Sequence, residues 1–378
     1  MIAGPPPQAR LEAFRHLYLH IPFCRHKCGY CDFNAYAGMD RLMPDYVEAL
    51  ISELRAARER LPFQPLATVY LGGGTPSLLG PDLVARLLAT VRATFEVAGG
   101  AEVTLEANPA STDQAKLAAW LEGGVNRLSL GVQGFDPKAL AVLERRTDGA
   151  PAEAAYRLAR AAGFRNLTLD LIYGVPFQSA ESWRATVRRA AELEPEHLSC
   201  YCLSFEEGTL LHRRRERGLL PETAADVQWD HLDIAVKELA GSGYERYEVS
   251  SWARPGFESR HNRAYWACRP VYGAGAGAHS YATDGERAWR WWNVARPREY
   301  AAACPQPGLE GEELAPGQAA AEALMLGLRT TAGIVPASGQ EQALTELVAA
   351  GLVERRGERV RPTRRGLDLH NQVALRVL

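Results

Sequence analysis

The sequence of 378 residues lacks any apolar run that could span a membrane or direct secretion. No window approaches 18 continuous apolar residues, and the first ten residues contain no apolar signal core. The seven cysteines are an odd number and show no disulfide framework. We therefore expect a soluble protein of a reducing compartment, the cytoplasm, and leave open a peripheral position at the inner membrane face.

The chain also lacks a strong charge of either sign. Its formal net charge is −2, so nothing draws the whole molecule towards nucleic acid or anionic lipid. Arginines are dense in the segment 355–365, but a solvated charged surface is the simpler interpretation of that segment. We expect no nucleic-acid partner, and composition leaves open whether the protein is a monomer or a dimer.

Three cysteines lie close together near the start of the chain. Cys24, Cys28 and Cys31 have the spacing C-x3-C-x2-C. Three thiolates on one loop can hold an iron–sulfur cluster, and a four-iron cluster would then keep one iron open for a small chelating ligand. The spacing alone leaves two alternatives: zinc bound with a further cysteine, the next being Cys200, and unconnected thiols.

Short apolar strands alternate with helices over the first part of the chain. Six strands are predicted, each followed by a crossover helix, at 17–21, 67–71, 102–105, 127–130, 167–172 and 197–203. Six such units are too few for a closed eight-fold barrel, but they suit a curved, partial one. The predicted fold class is therefore α/β, a partial (β/α)6 barrel of the TIM type.

After residue 205 this alternation ends. A longer helix and a stretch rich in glycine and aromatic residues come next, followed by two helices and a hairpin at 352–362. Helices followed by a hairpin resemble a winged-helix unit. We predict a core domain over residues 1–245 and a C-terminal α+β, winged-helix-like domain over residues 246–378.

Glycines and polar residues gather where the predicted strands end. The glycine triplet 72–74 precedes Thr75, while Glu106, Gln133 and Asp170 lie near the ends of three other strands. Ligand sites of β/α barrels form at the carboxyl ends of the strands, and glycine N–H groups can approach a ligand closely. We expect one site there, although each feature alone could be a tight turn or a structural polar group.

These residues together resemble the radical S-adenosylmethionine (SAM) superfamily, whose cysteine motif is C-x3-C-x2-C and in which SAM chelates the open iron of a [4Fe–4S] cluster. The phrases Tyr-x-His-Ile-Pro-Phe-Cys24 and Gly-Gly-Gly-Thr75-Pro are similar to one branch of it. That branch comprises the oxygen-independent coproporphyrinogen III oxidases (HemN) and the HemW proteins. The resemblance runs from Tyr18 to Gly366, and it implies the radical SAM core followed by the HemN-type C-terminal domain.

The resemblance also implies which residues contact each cofactor. Cys24, Cys28 and Cys31 would bind the [4Fe–4S] cluster. The residues implied to contact SAM are Tyr18, Tyr30, Gly73, Gly74, Thr75, Glu106, Gln133, Arg145 and Asp170. The sequence departs from the family pattern before Arg145, because Gly134 follows Gln133 where a serine is usual.

A further motif is His261-Asn262-Arg263-Ala264-Tyr265-Trp266. It resembles the His-Asn-x-x-Tyr-Trp segment that marks HemW-type proteins and is associated there with heme. Histidine is a common heme-iron ligand, and aromatic rings can pack on a porphyrin, although a histidine beside aromatic residues is more often structural. The resemblance implies that His261 binds heme, with His279 and Cys268 as further candidates.

Three functions fit this resemblance. A heme chaperone binds the cluster, SAM and heme, and passes heme to an acceptor hemoprotein such as a respiratory-chain protein. An oxygen-independent coproporphyrinogen III oxidase would instead cleave SAM and decarboxylate propionate side chains, and a radical SAM enzyme of other specificity, such as an RNA-modifying one, is the third function. Phe33 favours the chaperone, because the oxidase has a further cysteine at that position. Whether the protein is an enzyme is left open.

Overall fold

The computed structural model describes residues 11–145, 150–308 and 310–378. The strands are β1 (Phe14–Ile21), β2 (Phe23–Cys24), β3 (Tyr36–Ala37), β4 (Phe63–Gly73), β5 (Val97–Ala107), β6 (Arg127–Gln133), β7 (Leu167–Tyr173), β8 (His197–Cys202), β9 (Glu245–Glu248), β10 (Ser251–Ala253), β11 (Val271–Ala274), β12 (His279–Thr283), β13 (Ala288–Trp292), β14 (Glu310–Leu314), β15 (Val353–Arg356) and β16 (Arg359–Pro362). The helices are α1 (Met43–Arg60), α2 (Pro81–Thr94), α3 (Gln114–Glu122), α4 (Pro137–Val142), α5 (Ala150–Ala162), α6 (Ala180–Glu192), α7 (Leu210–Glu216), α8 (Ala225–Gly241), α9 (Arg260–Trp266), α10 (Pro297–Ala303), α11 (Pro316–Gly327), α12 (Glu341–Ala349), α13 (Arg364–Asp368) and α14 (His370–Val377). Among these helices none is both long enough and apolar enough to cross a membrane.

Six parallel strands form the centre of a twelve-stranded sheet. Their order is β1, β4, β5, β6, β7 and β8, and each strand is parallel to the next. Each successive pair is joined by a crossover that contains at least one α-helix, as a parallel sheet requires. The predicted α/β class and the order of the six β/α units are confirmed.

The later part of the chain extends this sheet at both edges. β11 pairs in parallel with β1, and β12, β13 and β14 follow in antiparallel order. At the other edge, β10 pairs antiparallel with β8, and β9 pairs antiparallel with β10. The sheet therefore runs across the predicted domain boundary near residue 245, and that boundary stays a prediction.

The parallel strands alternate between apolar and polar side chains. In β1, Leu17 and Leu19 are fully buried in the hydrophobic core, and they alternate along the strand with His16, Tyr18 and His20. A parallel sheet with helices on both faces would show continuous apolar runs instead. The alternation means that one face packs on the helices and the other lines a polar interior.

The end of the chain has a small hydrophobic core of its own. It combines residues of α11, α12, the β15–β16 hairpin, α14 and the turns beside them: Leu324, Leu328, Leu344, Leu347, Leu352, Val353, Val360 and Val373. The two strands of the hairpin pair antiparallel. This order of helices followed by a hairpin is the one predicted for the winged-helix-like segment.

A buried carboxylate ties α1 to the extended edge of the sheet. Glu53 is 1% exposed and accepts hydrogen bonds from Tyr272 Oη at 3.0 Å, Gly275 N at 2.9 Å, Asn293 Nδ2 at 2.8 Å and Tyr300 Oη at 2.5 Å. Burial raises the pKa of Glu53, and the surrounding donors oppose that shift. The four donors satisfy a group that would be costly to bury alone.

We expect Tyr300→Phe to lower the free energy of unfolding by about 2 kcal/mol, because it removes a donor from a buried carboxyl group. Tyr244→Phe is the matched control, since the Tyr244 hydroxyl donates at 2.7 Å to the neutral carbonyl oxygen of Pro195. That control should cost only about 1 kcal/mol. Urea unfolding measures both values, and equal losses would contradict a special role for Glu53.

Candidate functional site

A cavity of about 420 Å³ opens at the carboxyl ends of the parallel strands. The sequence-predicted residues that line it are Cys24, Cys28, Tyr30, Cys31, Gly73, Gly74, Thr75, Glu106, Gln133, Arg145 and Asp170. They come from the cysteine loop, from the ends of β4, β5, β6 and β7, and from the turn after α4. The structure thus brings nearly all of the predicted cluster and SAM residues to one cavity.

The cysteine loop forms one wall of this cavity. Cys24 ends β2, and a turn in which Cys31 N–H donates to the Cys28 carbonyl at 3.1 Å joins the other two thiols. All three cysteines are partly accessible. Burial raises the pKa of the Cys24 thiol, and it raises the pKa of the Cys31 thiol to about 11. Among the described residues, no group of three His, Cys, Asp or Glu side chains could hold a single metal ion. Three soft thiol donors on a shared wall do fit an iron–sulfur cluster, which binds them as thiolates.

The glycine turn after β4 packs directly against the cysteine loop. Gly73 has a φ of 109°, which a side chain rarely allows, and a Cβ on Gly74 would lie 2.8 Å from the Phe23 carbonyl oxygen. Thr75 Oγ1 lies 3.4 Å from Cys24 Sγ. The glycines are therefore needed for the close approach that places Thr75 beside the first cysteine.

Two carboxyl groups face the cavity from β5 and β7, the strands on either side of β6. Glu106 accepts hydrogen bonds from Tyr70 Oη at 2.7 Å and Gly73 N at 3.0 Å, while Asp170 accepts one from Ser129 Oγ at 2.8 Å. Burial raises the pKa of Asp170, and burial together with the nearby Asp170 charge raises the pKa of Glu106 to about 7. A positively charged ligand in this cavity would favour the ionised forms of both groups.

Gln133 and Arg145 carry features that suit a ligand contact. Gln133 has a φ of 67°, and a left-handed conformation at a residue other than glycine costs about 1 kcal/mol. Arg145 lies beside Tyr30, and its buried Nε has no hydrogen-bond partner among the described residues. An unpaired buried donor at the cavity wall is available to an anionic group of a ligand.

Tyr18 and His261 lie behind Tyr70 and do not belong to the cavity wall. His261 is 1% exposed, and its ring stacks on Tyr70 with a centroid separation of 5.0 Å. Its Nδ1 is 2.7 Å from Thr68 Oγ1, and burial lowers its pKa to about 3. Tyr18 Oη is hydrogen-bonded to His20 Nδ1 at 2.9 Å. Heme binding by His261 stays a prediction, and in this structure the ring is closed off from solvent.

The two further heme candidates also lie away from this cavity. His279 is exposed and stacks on Trp292, with ring centroids 5.3 Å apart. Cys268 is partly buried, and burial raises its pKa to about 11. Phe33, by contrast, lines the cavity and is 62% exposed. An apolar ring, and not a fourth thiol, therefore stands two residues after Cys31.

Several cavity residues were not predicted from the sequence. They occupy alternate positions on the parallel strands: Tyr70, Thr104, Arg127, Ser129, Thr168, His197, Ser199 and Tyr201. Arg127 is 2% exposed, and its Nη1 lies 3.7 Å from Glu102 Oε2. The two residues form a buried ion pair near the amino ends of the strands. The polar alternation of the strands is the signal that could have identified these residues.

Comparisons with known proteins agree with this geometry. The model of the radical SAM superfamily matches residues 18–190. The heme chaperone HemW of Mycobacterium tuberculosis H37Rv is 39% identical over 371 residues, which cover 96% of this chain and 94% of that protein. The heme chaperone HemW of Bacillus subtilis strain 168 is 31% identical over 371 residues, covering 94% and 97% of the two chains.

Among solved structures, the coproporphyrinogen III oxidase HemN from Escherichia coli, described as a radical SAM enzyme, matches with a TM-score of 0.81. The match covers 96% of this chain and 89% of that chain at 24% identity, which shows a shared fold. Membership of the radical SAM superfamily implies a [4Fe–4S] cluster and SAM. On the strength of relatives this similar over almost their whole length, the chain belongs to the radical SAM superfamily and, within it, to the family of the proteins named heme chaperone HemW.

Proposed function

We propose that this protein is a heme chaperone that holds a [4Fe–4S] cluster and SAM at the strand ends, binds heme, and passes it to an acceptor hemoprotein such as a respiratory-chain protein. The observation that carries this proposal is the 31–39% identity, over nearly the full length, to proteins named heme chaperone HemW. The cavity supports its cofactor part, since three thiols and two carboxyl groups share one space.

The chain's own residues have distinct roles in this proposal. Cys24, Cys28 and Cys31 hold the cluster, which supplies one open iron for chelation by SAM. Glu106 and Asp170, once ionised, attract the permanent positive charge of the SAM sulfonium. These five groups bind and orient the cofactors, and no step of the proposal requires SAM to be cleaved.

Phe33 separates this proposal from the alternative function, an oxygen-independent coproporphyrinogen III oxidase. The ring occupies the position at which the oxidase sequence continues with a cysteine, and it contributes an apolar surface to the cavity mouth. The likeness to the Escherichia coli oxidase is one of fold, because the two sequences are only 24% identical. The identity to the chaperones is higher, and the chaperone function is therefore preferred.

We expect the anaerobically reconstituted protein to bind heme stoichiometrically and to leave coproporphyrinogen III unchanged. A titration with hemin followed by its visible absorbance measures the first, and chromatography of the porphyrinogens after incubation with SAM and a reductant measures the second. Robust formation of protoporphyrinogen IX would overturn the chaperone function in favour of the oxidase.

Cys28→Ala should abolish the visible absorbance of the cluster, because the remaining two motif thiols cannot hold it. Cys304→Ala is the matched control, since that cysteine is partly buried outside the cavity wall. Iron content, absorbance and thermal unfolding are measured on both variants. Retention of a full cluster in Cys28→Ala would remove this residue from the proposed ligand set.

The affinity for SAM relative to S-adenosylhomocysteine should rise roughly tenfold from about pH 6 to about pH 8. The reason is that Glu106, with a pKa raised to about 7 by burial, becomes a carboxylate over this range. S-adenosylhomocysteine lacks the sulfonium charge but keeps the same amino acid groups, so the ratio isolates this charge. Calorimetry should find no such pH dependence in Glu106→Gln, and a ratio that stays constant in the wild type would contradict the role of Glu106.

A further inference from the structure

A second cavity, of about 550 Å³, lies between the sheet and the C-terminal segment. His16 lines it near the amino end of β1, so it opens away from the strand ends that hold the cysteine loop. Small and apolar residues such as Ala264, Ala267 and Ile334 form part of its wall. Its volume falls within the range of ~300–1,000 Å³ that is typical of small-molecule sites.

The charged side chains of this cavity are all positive. Arg260, Arg263, Arg269 and Arg359 line it, and its described lining includes no Asp or Glu. We call it the arginine cleft. Trp266 also lines it, and the buried Nε1 of this indole has no hydrogen-bond partner within the described parts of the chain. Four guanidinium groups beside an apolar wall suit an amphipathic ligand with at least two carboxylates.

The ring of His16 belongs to a short hydrogen-bonded series at the wall of this cleft. Its Nδ1 lies 2.9 Å from Thr68 Oγ1, and the same hydroxyl lies 2.7 Å from His261 Nδ1. When Nδ1–H of His16 donates to Thr68, its Nε2 keeps a lone pair, which is the arrangement that metal-binding histidines use. Burial and the neighbouring arginines lower the pKa of His16 to about 4, so the ring is neutral at physiological pH.

We propose that the arginine cleft is the heme site, with His16 Nε2 as a ligand of the iron and with Arg263 and Arg269 paired to the two propionates. This proposal deepens the proposed chaperone function and rests on it. It assigns the iron to the accessible histidine of the His16–Thr68–His261 chain and gives His261, which is closed off from solvent, a positioning role behind it.

The pairing of the two arginines with the propionates is tested with the double variant Arg263→Gln/Arg269→Gln. Two probes are compared, hemin and hemin dimethyl ester, and the ester lacks the propionate charges. We expect the double variant to bind hemin about 10- to 100-fold more weakly and the ester with unchanged affinity. Arg58→Gln/Arg165→Gln is the matched control, because both of these arginines are exposed and lie outside the cleft. Unchanged hemin affinity in the cleft variant would overturn the assignment of the propionates.

The assignment of His16 as the iron ligand is tested with His16→Ala, and His212→Ala serves as the control, because His212 is partly exposed and lies outside the cleft. His16→Ala should lose the spectrum of a histidine-bound heme, and added imidazole should restore it, whereas His212→Ala should match the wild type. His261→Ala, once circular dichroism shows that it is folded, should weaken hemin binding less and keep the iron bound to histidine. A histidine-bound spectrum in His16→Ala that is lost in His261→Ala would overturn the proposal.

These outcomes separate this inference from the function on which it rests. If the wild-type protein binds no hemin, the chaperone function itself fails. If the wild type binds hemin stoichiometrically and the cleft variants bind it equally well, the function stands and the cleft assignment alone fails. Equal, arginine-dependent binding of inorganic phosphate would mark the cleft as a general anion site and would also overturn it.

Discussion

The structure depends on the division of each parallel strand into two faces. Helices can pack on the sheet only if every second residue is apolar, and Leu17, Val69, Leu105 and Leu169 meet this requirement as buried core residues. The remaining positions are then free to carry polar groups, provided that each group finds a partner. The interior is therefore a polar chamber, and its hydrogen-bonded pairs are part of the fold as well as part of the site.

This chamber explains why the cavity can hold charged groups at all. Glu106 and Asp170 face it with hydrogen bonds from Tyr70, Gly73 and Ser129, so each carboxyl group keeps partners while its ionisation is held back. Burial raises the pKa of both carboxyl groups, and a cationic ligand in the cavity would favour their ionised forms. The left-handed backbone of Gln133 also suits contact with a ligand, and the Arg145 Nε, which has no hydrogen-bond partner among the described residues, is available to an anionic group of that ligand.

Much of this could be predicted from the sequence, and for definite reasons. The six strands and their helices follow from local hydrophobic pattern, and strand ends must share one edge of a parallel sheet, which is why the cysteine loop, Thr75 and Glu106 meet. The additional strands β11 to β14 were not predicted, because they join the sheet only through the pairing of β11 with β1, which is far away in the chain. The burial of His261 also could not be foreseen, since it depends on Tyr70 and Thr68 of a distant strand.

The same chamber has a consequence for the two ends of the strands. The carboxyl ends present thiols and carboxyl groups, which suit a cluster and a cation, while the arginine cleft near the amino end of β1 presents guanidinium groups that suit a dianion. These groups of opposite charge favour different ligands at the two places, so one ligand cannot compete well for both. Between them, Thr68 hydrogen-bonds both His16 and His261, and His261 stacks on Tyr70, which in turn donates to Glu106. Glu106 and His16 are therefore joined by an unbroken series of direct contacts, which runs from the end of the strands that holds the cysteine loop to the cleft near the amino end of β1.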